Sequence, residues 1–143
     1  MTVRQVLQGK GHPNILSTHY NTLAFTTEEA VTSRGDCFVA VAMDRSLPGL
    51  DDDLKDALRA GRRLRITIEA DGVFDVVEAT GAPGLTFEDP SDMVVRRSGY
   101  VCGRTLAIDA DKAAKDLSRE LVDRLRAGGP VRIVLECAPT GHP

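Results

Sequence analysis

The order of elements in this 143-residue chain predicts an α+β fold: a single domain with a mainly antiparallel sheet, or a partly closed barrel, of about eight strands with two helices. Three observations carry that expectation. Strand-like segments follow one another in runs and do not alternate with helices, as a doubly wound sheet would require. Asp71-Gly72 joins two alternating apolar stretches, the strongest short-range hairpin signal in the chain. Only two segments carry apolar residues at helical spacing with acids at the start and bases or glycine at the end.

Residues 3–9 read as an opening strand that stops at Gly9-Lys10-Gly11, and His12-Pro13 imposes an irregular crossing. Residues 21–26 alternate polar and apolar, as a half-buried strand does. Thr26 and Glu29 have the spacing of a capping box, which predicts one helical turn ending near Arg34-Gly35. The unbroken apolar run from 37 to 43 reads as a strand buried on both faces. Residues 51–60 place Leu54, Ala57 and Leu58 at helical spacing with acids first and Arg59 last, so the charges complement the helix dipole. Strands at 64–70 and 73–80 flank Asp71-Gly72, and 81–89 reads as loop with a short strand. Strands at 93–97 and 104–108 surround the Ser98-Gly99 bend. A helix over 112–127, capped by Asp109 or Asp111 and stopped by Gly128-Gly129-Pro130, precedes a last strand at 131–136. The spacing shows no repeat, linker or low-complexity segment.

Composition narrows the function classes. Hydrophobic residues are 42% and charged residues 27%, which excludes disordered and collagen-like classes and lets one core form over residues 1–143 without staples. A net charge of -3 argues against a protein that coats nucleic acid non-specifically, since that mode needs an extended basic surface. A local basic patch remains compatible with it. Aromatics are 4%, so base-stacking platforms come down to Tyr20, Phe25, Phe38, Phe74, Phe87 and Tyr100. Three cysteines without CxxC spacing, no run of about 18 apolar residues and no apolar N-terminal segment lead to the expectation of a cytoplasmic protein that does not enter a membrane.

The unusual polar chemistry falls in three stretches: Gly11-His12-Pro13-Asn14-Ile15 running to Thr18-His19-Tyr20-Asn21-Thr22, then Arg34-Gly35-Asp36-Cys37, then Arg96-Arg97-Ser98-Gly99-Tyr100 with Arg104-Thr105. His12 and His19 are candidates for acid/base work, with Asp36 as orienting carboxylate. Their spacing matches no metal-ligand set, so no metal is assigned. The bland alternatives are strand-edge histidines, an Asp36 that holds its own turn, a Cys37 that opens a buried strand and a His142 of no consequence in the tail. Arg34, Arg97, Ser98, Arg104 and Thr105, with Asn14, are the ligand-binding candidates, because guanidinium forks and hydroxyls suit phosphate or carboxylate. Arg96 and Arg97 point to opposite faces of a strand, so one of them at most joins Arg104. A solvated charged face paired with carboxylates is the alternative.

Gly11-His12-Pro13-Asn14-Ile15 with Thr18-His19 and Thr22, Thr32 with Arg34-Gly35-Asp36-Cys37, Arg97-Ser98, Arg104-Thr105-Leu106 and Asp111-Lys112-Ala113-Ala114 resemble the archaeal family called domain of unknown function 371 over most of the chain. The resemblance implies a small stand-alone archaeal cytosolic protein and no assigned activity or cofactor. Three functional readings follow: a binding module for a phosphate-bearing ligand, a nucleotide or structured RNA; a small hydrolase or phosphotransfer enzyme using His12 or His19 with Asp36, metal-assisted or not; and a structural or interaction subunit. The first ranks highest, because no nucleophile–base pairing and no phosphate loop supports the second.

Overall fold

A computed structural model describes residues 2–138; His142 lies outside the described residues. The strands are β1 (Val3–Lys10), β2 (Thr22–Thr26), β3 (Phe38–Ala40), β4 (Arg63–Ala70), β5 (Val73–Thr80), β6 (Asp92–Arg96), β7 (Thr105–Ala107) and β8 (Pro130–Cys137), with helices α1 (Asp52–Arg59) and α2 (Arg119–Arg126). They make an α+β fold of two four-stranded sheets, ordered β1-β8-β4-β5 and β3-β2-β6-β7. The first is antiparallel throughout, whereas β3 and β7 run parallel to β2 and β6 in the second. Single bridges, Lys10 to Val41 and Thr80 to Ile108, tie the sheets together at both edges without closing a barrel. Leu7, Phe25, Leu54, Ile66, Met93, Leu121 and Ile133 belong to one apolar core between them.

The chain is an internal duplication, which corrects the expectation of no repeat. Residue n of the first half corresponds to n + 70 through β1 and β2 and to n + 67 from β3 onward. The halves interleave, and each central strand pair is its own symmetry mate. Ile66 pairs with Leu135 and Ile68 with Ile133 about the Thr67–Val134 pair, and Leu23 pairs with Val95 and Phe25 with Met93 about Ala24–Val94. Left-handed residues match as well: Ser17 (φ 53°) with Phe87 (φ 52°), Ala42 (φ 51°) with Asp109 (φ 52°), and Gly61 (φ 79°) with Gly128 (φ 84°). Side-chain anchors repeat in kind. The Asp51 N–H donates to Gln5 Oε1 at 2.8 Å, and in the second half the Ser118 N–H donates to Asp75 Oδ2 at 2.9 Å.

Gly11 and Gly81 show what the Gly-X-Pro words do. A Cβ at Gly11 would collide with the Leu125 carbonyl at the end of α2, and one at Gly81 with the Leu58 carbonyl at the end of α1. Each half therefore locks its crossing loop under the other half's helix. The Gly11 N–H donates to Gly129 O at 2.8 Å and the Gly81 N–H to Arg62 O at 2.9 Å.

The Asp71-Gly72 hairpin is present, with φ of 51° and 79°, the two positive values that a type I′ turn requires. Four further expectations are corrected. Residues 27–37 hold no helical turn, because Thr26 Oγ1 accepts from the nearby Glu28 N–H at 3.1 Å and closes a local turn instead. The strand expected over 37–43 spans only Phe38–Ala40. The second helix begins at Arg119 and not near 112, since Leu117 is extended (φ -64°, ψ 146°) and Ser118 is the cap, accepting from the Leu121 N–H at 3.3 Å. Nor does the segment 81–89 form a strand. No helix among the described residues is long and apolar enough to cross a membrane.

Candidate functional site

The duplication puts two loop-built poles around the outer face of the β3-β2-β6-β7 sheet. Each consists of the loop before one central strand and the loop after the other. They start from equivalent backbone and end with different chemistry.

At the first pole, the loop between β2 and β3 and the segment Asp89 to Asp92 enclose an open cleft of about 560 Å³. Val31, Phe38 and Pro90 give it apolar surface, Thr26, Thr32 and Ser91 give hydroxyls, and Glu28, Asp89, Asp92 and Arg104 give charge. Arg104 meets Asp92 at 3.4 Å, with its side chain 52% exposed. Asp89 Oδ1 accepts from the N–H groups of Ser91 and Asp92 at 2.8 and 2.7 Å, which fixes that wall. The Glu28 carboxylate has no partner among the described residues.

At the second pole, His19 stands where Asp89 stands at the first and does the same work. Its Nδ1 accepts from the N–H groups of Asn21 and Thr22 at 3.1 and 3.0 Å and lies 3.0 Å from the Thr22 hydroxyl. Arg96 takes the place of Thr26. Its Nε donates to Thr105 Oγ1 at 3.1 Å, its Nη2 lies 3.4 Å from Cys102 Sγ, and its guanidinium sits 4.9 Å from the Tyr100 ring centroid. Tyr20, replacing Pro90, stacks on His19 with ring centroids 5.1 Å apart and planes at 9°. Tyr20 and Tyr100 are 70% and 61% exposed. Arg97 and Lys115 share Asp116, at 3.6 and 3.0 Å, beside the Lys115 N–H that donates to His19 O. Arg96 has no carboxylate partner among the described residues, whereas three carboxylates face one guanidinium at the other pole.

Several sequence candidates are brought together and others dispersed. His19 and Asp36 adjoin through the backbone, the Asp36 carbonyl accepting from the Thr18 and His19 N–H groups. His12 lies apart, against α2, where its N–H donates to Leu125 O. Its Nδ1 accepts from the Asn14 N–H at 3.1 Å, and Asn14 Nδ2 donates to Val31 O at 2.9 Å. With Nδ1 occupied as an acceptor in both histidines, each neutral ring carries its proton on Nε2, and neither Nε2 has a lone pair to offer a proton or a metal. Arg34, Arg97 and Arg104 share no partner: Arg34 is exposed, Arg97 turns to Asp116 and Arg104 to Asp92. Ser98 Oγ accepts from the Tyr100 N–H at 3.3 Å, and Thr105 is fully buried beneath Arg96.

Arg96 is not among the ligand-binding groups the sequence suggests, although strand alternation sets it on the face opposite Arg97. Cys102 is not among them either. Burial pushes its thiol up, but the Arg104 backbone N–H, the Thr105 hydroxyl and the Arg96 guanidinium outweigh that and hold it below the usual thiol value. Burial raises Cys37, which Thr22 only partly offsets, and burial pushes Cys137 up to about 11.

These features define an internally duplicated α+β protein with two unlike poles on one sheet face. The chain belongs to the family described as domain of unknown function 371, whose model matches residues 7–138. An uncharacterised protein of Methanocaldococcus jannaschii is 37% identical over 123 residues, covering 86% of this chain and 91% of the relative.

Proposed function

We propose that this chain is a binding module for a phosphate-bearing ligand, and that the ligand is single-stranded RNA held at the second pole. The observation that carries the reading is the exposed Tyr100 ring against a guanidinium that has no carboxylate partner, Arg96, with a second exposed ring, Tyr20, stacked on His19 at the same pole. Stacking on an exposed aromatic is worth roughly 1–3 kcal/mol per base and tolerates any sequence. Thr105 and Cys102 hold the Arg96 plane, which leaves its remaining N–H groups for a phosphate oxygen. Exposed rings favour a single strand over a duplex, whose bases are not exposed for stacking. The hydrolase reading is weaker, because both histidine rings are held in the tautomer unsuited to a general base on the exposed nitrogen.

Fluorescence anisotropy with a short labelled oligoribonucleotide tests it. Single strands should bind more tightly than the matching duplex, with a salt slope of only a few ions. Tyr100→Ala and Arg96→Ala should each weaken binding about tenfold, which is about 1.4 kcal/mol. Duplex preference, or binding indifferent to both substitutions, refutes the reading.

A further inference from the structure

We infer that the cleft at the first pole is a separate site for a free amino acid, bound as its zwitterion. Charge and shape together narrow the ligand. At about 560 Å³ the cleft lies within the roughly 300–1,000 Å³ that small-ligand sites occupy. It presents both signs of charge at close quarters, since Arg104 and Asp92 stand 3.4 Å apart and Glu28 lines the same space without a partner. A phosphate dianion fits poorly there, because Glu28, Asp89 and Asp92 all repel it. A bare divalent cation fits poorly too: Arg104 sits among the acids, and no group of three metal-ligating side chains exists among the described residues. A simple amine would engage Glu28 and make no use of the Arg104 fork.

A zwitterion answers both signs at once. Its carboxylate takes the Arg104 fork, and its ammonium sits between Asp92 and Glu28. The Arg104–Asp92 contact is long and half exposed, so the ligand exchanges one weak ion pair for two. The side chain of the amino acid then lies on Val31 and Phe38. The walls are set before binding. Asp89 fixes the segment leading to Asp92, the Ser46 hydroxyl donates to the Asp89 carbonyl at 2.9 Å, and the Thr27 N–H donates to Ser91 O at 2.9 Å, joining the two loops. A cleft whose walls are already ordered loses little freedom on binding.

The duplication explains why only one pole offers this. The loop of residues 27–37 is three residues longer than its counterpart, residues 97–104, and Thr26 leaves open the space that Arg96 and Tyr100 fill at the other pole.

The test is calorimetric titration of the intact protein with each of the common L-amino acids, followed by the N-acetyl and carboxamide forms of any that bind. At least one should bind, and acetylation and amidation, each of which removes one charge, should each weaken it by about tenfold or more. Arg104→Ala should weaken it similarly, Glu28→Gln by less, and Tyr100→Ala should leave it unchanged, which separates this site from the RNA face. The inference is overturned if no amino acid binds at about 10 mM, a range in which even a weak contact registers. It is equally overturned if the blocked forms bind as well as the free ones, an outcome that does not depend on how any variant folds.

Discussion

The two poles are related by the duplication, and the contrast between them shows what a scaffold fixes and what it leaves free. His19 and Asp89 occupy equivalent positions and hold equivalent turns, one through a ring nitrogen and one through a carboxylate oxygen. The turn needs an acceptor and is indifferent to its charge. Around that shared turn, Thr26, Pro90 and Phe38 leave a cleft open beside Glu28, Asp89 and Asp92, whereas Arg96, Tyr20 and Thr105 make a filled, aromatic face. Function diverges at the side chains while the backbone stays common.

If the scaffold is common, damage to it should be symmetric. Gly11→Ala and Gly81→Ala each drive a methyl into a helix-terminal carbonyl of the opposite half, so both should lose about 1–3 kcal/mol or more in chemical denaturation. Similar losses sharpen the comparison, and a neutral substitution at either position breaks it. A smaller cost belongs to the hairpin that joins the halves. Gly72 is left-handed with open space around it, so Gly72→Val should cost about 1 kcal/mol through its backbone alone.

Acid should then separate the halves. Gln5 and Asp75 anchor the start of equivalent helices, and only Asp75 titrates. Burial raises the Asp75 carboxyl, but Lys112 and the Ser118 and Val76 N–H groups together hold it below the ordinary carboxylate value. Its folded value is depressed, so its contribution is present above the usual carboxylate range and is lost as pH falls through the depressed value. Asp75→Asn should therefore flatten the acid limb of the stability curve, and Gln5→Ala should lower the whole curve without changing that limb. The smallest effect is kinetic. Cys102 should alkylate faster at neutral pH than Cys37 or Cys137, and Arg96→Ala should slow it by withdrawing the neighbouring positive charge. Equal rates at Cys102 and Cys37 would erase the electrostatic contrast between the poles.

Local signals made much of the fold legible. Alternation, one apolar run and turn chemistry located all eight strands along with one at 81–89 that does not form, and Asp71-Gly72 is the turn its dipeptide specifies. The duplication was missed, although the sequence carries its trace: residues 54–61 and 121–128 share Leu, Asp, Leu, Arg, Ala and Gly in register, and Gly11-His12-Pro13 is echoed by Gly81-Ala82-Pro83. It is hidden at the poles, where equivalent residues have diverged most. The parallel pairing of β3 on β2 was not legible, because three-residue strands carry too little pattern to show their direction. For the site, the words around His19 and Arg96 are the stretches on which the RNA-binding proposal is built. Which arginine lacks a carboxylate depends on Asp92 and Asp116, residues whose partners only the tertiary structure reveals.

Amide exchange of the whole chain with and without a short oligoribonucleotide tests the central contrast most directly. RNA should slow exchange at residues 19–22 and 96–105 and leave 27–37 and 89–92 unchanged, as binding at one pole requires. Protection centred on the acidic cleft, or equal protection at both poles, would contradict the assignment of RNA to the Arg96 and Tyr100 face.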